Sequence, residues 1–162
     1  MSEPLTERRV RARDRGRGRE LALARLYAWE QRRFDDDPAL PDELTADASA
    51  TALAFADQIL IGVKAQRTPV DAAIDGRLEN WTIHRLAAVD RALLRLAAWE
   101  LLYCDDTPPR VAINEAIELA KRYGSDERTA KLVNGVLDRI AREHRPEAMR
   151  AGPPGGKAAP AE

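Results

Sequence analysis

Cysteine is nearly absent from the 162-residue chain. Cys104 stands alone, which excludes a disulfide framework and any multi-cysteine zinc site. Aromatics amount to 5%, and the apolar set is dominated by Ala and Leu, which favours helix over sheet. No apolar run approaches the roughly 18 residues of a membrane span, and the N-terminal arginines precede no apolar stretch, so no secretory signal is expected. His84 and His144 are isolated, without a partner one helical turn away, so no metal site is expected. Arg15-Gly16-Arg17-Gly18 follows no strand and fails the requirement for a dinucleotide loop. Cys104 has no histidine near it in sequence and reads as core rather than nucleophile. Glu115 and Glu118 share a helix face, as spaced acids on solvated helices commonly do. These absences point to an all-α, cytoplasmic protein that is not an enzyme and carries no cofactor.

What the chain does have is a polarised charge distribution. Its net charge is −1, yet residues 8–19 hold seven arginines against Asp14, a segment charge of +6, so the other residues carry −7. Residues 34–57 contain no Lys or Arg but hold Asp35, Asp36, Asp37, Asp42, Glu43, Asp47 and Asp57. A basic arm followed by an acidic stretch suggests one face for a polyanion and another that repels it.

Apolar periodicity divides the chain into a disordered Arg-rich arm (1–16), a helical domain (17–145) and a disordered Pro/Gly/Ala tail (146–162). Within the domain, a first helix is expected from about Gly18 to Arg33, with Leu23, Leu26 and Tyr27 on its stripe. A second spans about 49–67, with Leu53, Ala56, Leu60 and Val63 inward. A third begins at Thr68-Pro69 and ends near Asn80. A short turn at 83–88 leads to a central helix over 90–104, with Asp90 as its N-cap. Two more cover about 111–123, stopped by Gly124, and 129–144. The result is a helical bundle, with halves of about 17–80 and 84–145.

Two places carry binding chemistry. Arginine forks match phosphate oxygens, and Tyr27 and Trp29 follow the arm by about two turns, either as stacking surfaces for unpaired bases or as core. Asn134-Gly135 sits inside a helix, where glycine costs roughly 1 kcal/mol. Either close helix crossing requires the missing side chain, or the pair meets a ligand.

The segments RELALARLYAWE (19–30), RLAAVDRALLRLAAWEL (85–101), VAINEAIELAKRYG (111–124) and KLVNGVLDRI (131–140) together resemble the bacterial NusB family of transcription antitermination factors. The resemblance covers about residues 17–142. It implies a bundle of two small helical subdomains that binds single-stranded boxA RNA and pairs with NusE, a small-subunit ribosomal protein. It also implies a place in RNA polymerase complexes that read through terminators, notably on ribosomal RNA operons. By the same resemblance Arg13, Arg15, Arg17 and Arg19, with Tyr27 beside them, form the RNA-binding arm. Lys131 and Asn134 fall on a second part of the RNA surface, and Asp90 and Arg91 lie near the NusE-facing region. Some relatives are homodimers that cover the RNA face, and the sequence leaves that state open here. The chain departs from the family pattern at Gly16 and Gly18, which interrupt the basic helix start. It also departs in a 125–130 loop one residue longer, and at Leu132, where an aromatic is usual. A NusB-like domain also opens certain rRNA cytosine methyltransferases, but this sequence has neither a cofactor-binding pattern nor a second cysteine. The competing reading is a helical adaptor whose basic arm is inert.

Overall fold

The computed structural model describes residues 3–35, 39–79 and 81–151. All the regular structure among them is helical, in two compact units, residues 1–66 and 67–162.

The first unit holds α1 (Leu5–Gln31), the short α2 (Asp42–Thr45) and α3 (Ala50–Ala65). Helix α1 starts far earlier than the sequence suggests. Residues expected to form a disordered arm up to 16 are helical from Leu5 onward. Arginine, alanine and glutamate are strong helix formers and carry the helix through the two glycines. Gly18 is retained for packing: a Cβ there would stand 2.8 Å from the Ala52 carbonyl oxygen and 3.1 Å from the Phe55 side chain. The backbones of α1 and α3 approach closely only because that side chain is missing. Leu21, Ala22, Leu23 and Leu26 of α1 are buried, as are Ala52, Phe55, Ala56, Ile59, Leu60 and Val63 of α3. Leu53, expected inward, lies on the outer face at 37% exposure. Ser49 caps α3, its hydroxyl oxygen accepting from the Ala52 amide at 3.0 Å. Helix α1 ends in two left-handed residues, Arg33 (φ 56°) and Phe34 (φ 62°). They return the Phe34 amide to the Trp29 carbonyl at 2.9 Å and set the two rings edge to face, centroids 4.7 Å apart.

The second unit comprises α4 (Arg67–Asp75), a 3₁₀ turn (Ile83–Arg85), α5 (Ala88–Tyr103), α6 (Pro109–Tyr123), α7 (Thr129–His144) and α8 (Pro146–Arg150). Helix α5 is its centre, in contact with α4, α6 and α7. An unbroken run from Ala92 to Leu101 is buried, including Arg95 and Glu100. Arg95 forks onto Asp71 of α4 at 2.8 and 3.1 Å, and Thr107 donates to Glu100 at 3.3 Å, so neither charge is buried alone. Helix α4 ends at Asp75 rather than near Asn80, and the Asp75 carboxylate accepts from the Ile83 amide at 2.6 Å. Since α4 packs on α5, the division of the chain falls at 66/67 and not near 80–84. Residues 146–150, expected to open a disordered tail, are helical (α8). Met149 of α8 is buried, and its carbonyl accepts from Arg110 at 2.7 Å; residues 152–162 of that tail lie outside the described residues. No described helix is long and apolar enough to cross a membrane.

Candidate nucleic-acid interface

In α1 the arginines recur at every second position from Arg11 to Arg19. In a helix each such step turns about 200°, so they fall on two opposed stripes. The stripe of Arg15 and Arg19 faces α3: their guanidinium carbons stand 4.8 and 5.4 Å from the centroid of the Phe55 ring. Arg19 is only 3% exposed, so an arginine expected at the RNA surface belongs to the core of its unit. On the other stripe, Arg17 donates to the Leu44 carbonyl at 2.7 Å and pairs with Asp47 at 3.3 Å and Glu20 at 3.1 Å. The acidic stretch therefore binds part of the arm instead of opposing it. Arg25 makes a similar pair with Asp57.

The cations left for a polyanion are further toward the N-terminus. Arg8, Arg9 and Arg13 are exposed, and no acidic partner faces them among the described residues. Arg11 pairs with Glu3. Arg8 and Arg9, within the seven-arginine segment, are exposed cations that the family resemblance does not reach. Tyr27 is 42% exposed and open to stacking, whereas Trp29 is buried at 5% beneath Lys64.

In the second unit, Lys131 and Asn134 are both exposed and one turn apart on α7. What fixes that helix end is Asp90. Its carboxylate accepts from the Ser125 amide (3.0 Å), the Ser125 hydroxyl (2.5 Å) and the Thr129 hydroxyl (3.2 Å). Asp90 is buried in the first turn of α5, and the N-cap position expected for it is taken by Ala87. Through these partners it holds the 125–129 loop against the start of α5. Arg91 likewise turns inward, donating to the His84 carbonyl at 3.2 Å and to that of Leu86. In the loop itself Arg128 hydrogen-bonds Asp126 at 3.0 Å, which holds the Asp126 carboxyl below the usual carboxylate range.

Lys131 lies on a groove of about 650 Å³ whose walls include Trp81, Arg85, Leu86, Leu132 and Gly135. No helix crosses at Gly135: nothing comes within 4 Å of the position a Cβ would occupy. The close-packing expectation for this glycine is overturned, and Gly18 is the residue that fills that role. Trp81, 56% exposed, was missed by sequence reasoning. Its signal is a lone tryptophan in a short polar connection, outside any apolar stripe. Among the described residues no cluster of His, Cys, Asp or Glu could hold a metal ion.

The NusB family model matches residues 17–142, a span that enters both units. The chain is 44% identical over 128 residues to the transcription antitermination protein NusB of Geobacter sulfurreducens, covering 76% of this chain and 91% of that protein. It is 43% identical over 122 residues to the protein of the same name from Bacillus velezensis, covering 75% and 91%. Among solved structures it is similar to T. maritima NusB (TM-score 0.72, 36% identity, 93% of this chain and 99% of that one). It is also similar to a chain from the antitermination factors NusB and NusE in complex with double-stranded RNA (TM-score 0.70, 28% identity, 81% and 98%).

Proposed function

Since the chain belongs to the NusB family, we propose that it is a transcription antitermination factor that binds RNA together with NusE. Its RNA is of the boxA type and single-stranded, and the bound pair joins RNA polymerase complexes that read through terminators, notably on ribosomal RNA operons. It works in the cytoplasm, and its action is binding rather than catalysis. The observation that carries the reading is the free cationic end of α1, where Arg8, Arg9 and Arg13 have no acidic partner among the described residues. Guanidinium forks on a helix surface neutralise phosphates, while exposed Tyr27 offers a ring to an unpaired base. Lys131 and Asn134 on α7 supply a second contact of the same kind. NusE adds affinity that one small surface lacks, because two linked contacts multiply rather than add.

Fluorescence anisotropy of a boxA-like RNA oligomer, with and without NusE, at two salt concentrations tests this. Binding should tighten with NusE and weaken on scrambling the sequence or on annealing a complementary strand. If about four to six phosphates are neutralised, the log–log salt slope lies near −3 to −4. Binding indifferent to sequence, partner and salt would leave a helical adaptor with an inert arm.

A further inference from the structure

The basic helix of the first unit and the acidic stretch that follows it meet at one cation. Arg9, Arg13 and Arg17 stand four residues apart on α1, so they form one stripe, with about 6 Å between neighbours along the axis. Arg9 and Arg13 are exposed, with no acidic partner among the described residues. Arg17 is instead covered by the chain itself. Its guanidinium donates to the Leu44 carbonyl at 2.7 Å and pairs with Asp47 at 3.3 Å, besides Glu20 of its own helix at 3.1 Å. The inner end of a cationic row is thus closed by a segment 27 to 30 residues further along.

That segment has little else to hold it. Helix α2 is four residues long and buries none of them, and a helix that short does not stand by itself. The Asp47 side chain is 79% exposed, and an ion pair so open to water contributes little to stability. Asp42 and Glu43 meet no cation among the described residues. Yet the segment offers Arg17 what a nucleic acid backbone offers, oxygen acceptors of which one is anionic. Asp42, Glu43 and Asp47 place three carboxylates within six residues, in a stretch from 34 to 57 without Lys or Arg. A weak, exposed, acidic contact on a guanidinium is one that a phosphate can displace, since the fork binds phosphate through two parallel hydrogen bonds.

We propose that residues 42–47 form a displaceable strap that competes with RNA for Arg17, an inference that rests on the RNA-binding reading above. In the free chain the strap occupies the guanidinium. On binding, a phosphate takes the place of Asp47 and of the Leu44 carbonyl, and the whole stripe of Arg9, Arg13 and Arg17 faces the RNA backbone. Every polyanion has to displace the same strap, so apparent affinity falls by one common factor, the fraction of chains with Arg17 open. The strap therefore holds down loose binding to bulk RNA without altering which sequence is preferred.

Anisotropy titrations of a boxA-like RNA and its scrambled form against the full chain, with and without NusE, test this through Asp47→Asn, Glu43→Gln and Arg17→Gln. Asp47→Asn should tighten both RNAs by the same factor, about two- to fivefold, the range that an exposed ion pair spans. Glu43→Gln makes the same change of charge on the same strap away from Arg17, and should shift affinity by a much smaller factor. In an Arg17→Gln background, Asp47→Asn should do no more than Glu43→Gln does. If Asp47→Asn and Glu43→Gln tighten binding equally, or the gain from Asp47→Asn survives Arg17→Gln, overall charge is the cause and the strap is not a competitor. If Asp47→Asn leaves RNA affinity unchanged or weakens it, the proposal fails and the RNA-binding reading stands. If neither the native chain nor Asp47→Asn binds RNA, with or without NusE, the RNA-binding reading fails and takes the strap with it.

Discussion

Two glycines separate what a residue type announces from what its position demands. Both sit inside helices, and both cost propensity. A Cβ at Gly18 would stand 2.8 Å from the Ala52 carbonyl oxygen, whereas one at Gly135 would meet nothing within 4 Å. Gly18→Val should therefore destabilise the fold by about 2 kcal/mol or more through forced separation of α1 and α3, whereas Gly135→Val should melt at or slightly above the native temperature; parallel thermal melts decide. The sequence shows that both are costly and not which is compensated, since contact distance is absent from local pattern. Arg19 gives the same lesson. It looks like the last of a row of surface arginines and is in fact 3% exposed beside Phe55. Arg19→Ala is expected to lower stability by roughly 1–2 kcal/mol through lost stem packing and the ring contact. An unchanged melting curve would return Arg19 to the surface set.

At the scale of elements, most of the helices were legible because their apolar spacing is regular. The inner face of α3 from Ala56 to Val63 and that of α7 through Val133, Val136, Leu137 and Ile140 are buried as periodicity requires. Helix starts were less legible where no apolar residue marks them. Leu5 to Arg13 are exposed, so this part of α1 rests on propensity and on hydrogen bonds open to solvent. Amide hydrogen exchange should accordingly run along one continuous helix from fast at residues 9–13 to slow beyond Gly18, and uniform protection would mean that something covers the arm. The link between α5 and α7 was illegible for another reason: Asp90 and Ser125 are 35 residues apart, and no local pattern reports such a pair. Asp90→Ala leaves the Ser125 and Thr129 donors without their acceptor and should cost about 2–4 kcal/mol, measured by denaturant titration. A loss well below 1 kcal/mol would show that water replaces the carboxylate.

For the whole molecule, a net charge of −1 and a pI near 6.2 mean that attraction to RNA cannot come from overall charge and has to be local. The structure narrows that locality. Of the seven arginines in residues 8–19, Arg17 is paired with Asp47 and Glu20, Arg11 with Glu3, and Arg15 and Arg19 lie over Phe55. Replacing Arg8, Arg9 and Arg13 together by Gln should flatten the log–log salt slope by about 2 with little change in stability. A slope that does not move would show that the contacts lie elsewhere. Counting arginines in the sequence overstates the contacts, because the count is blind to the acids that fold back onto them.

The lone thiol has a practical consequence. Cys104 is 5% exposed, with its sulfur 3.5 Å from the Thr107 hydroxyl oxygen, and the sequence holds no other cysteine. A maleimide dye should therefore find the folded native chain almost inert. One cysteine introduced at an exposed position of each unit would take label against a silent background. The distance between such a dye pair then becomes a ruler for the separation of the two units, free and bound to RNA, with the unsubstituted protein as its own blank.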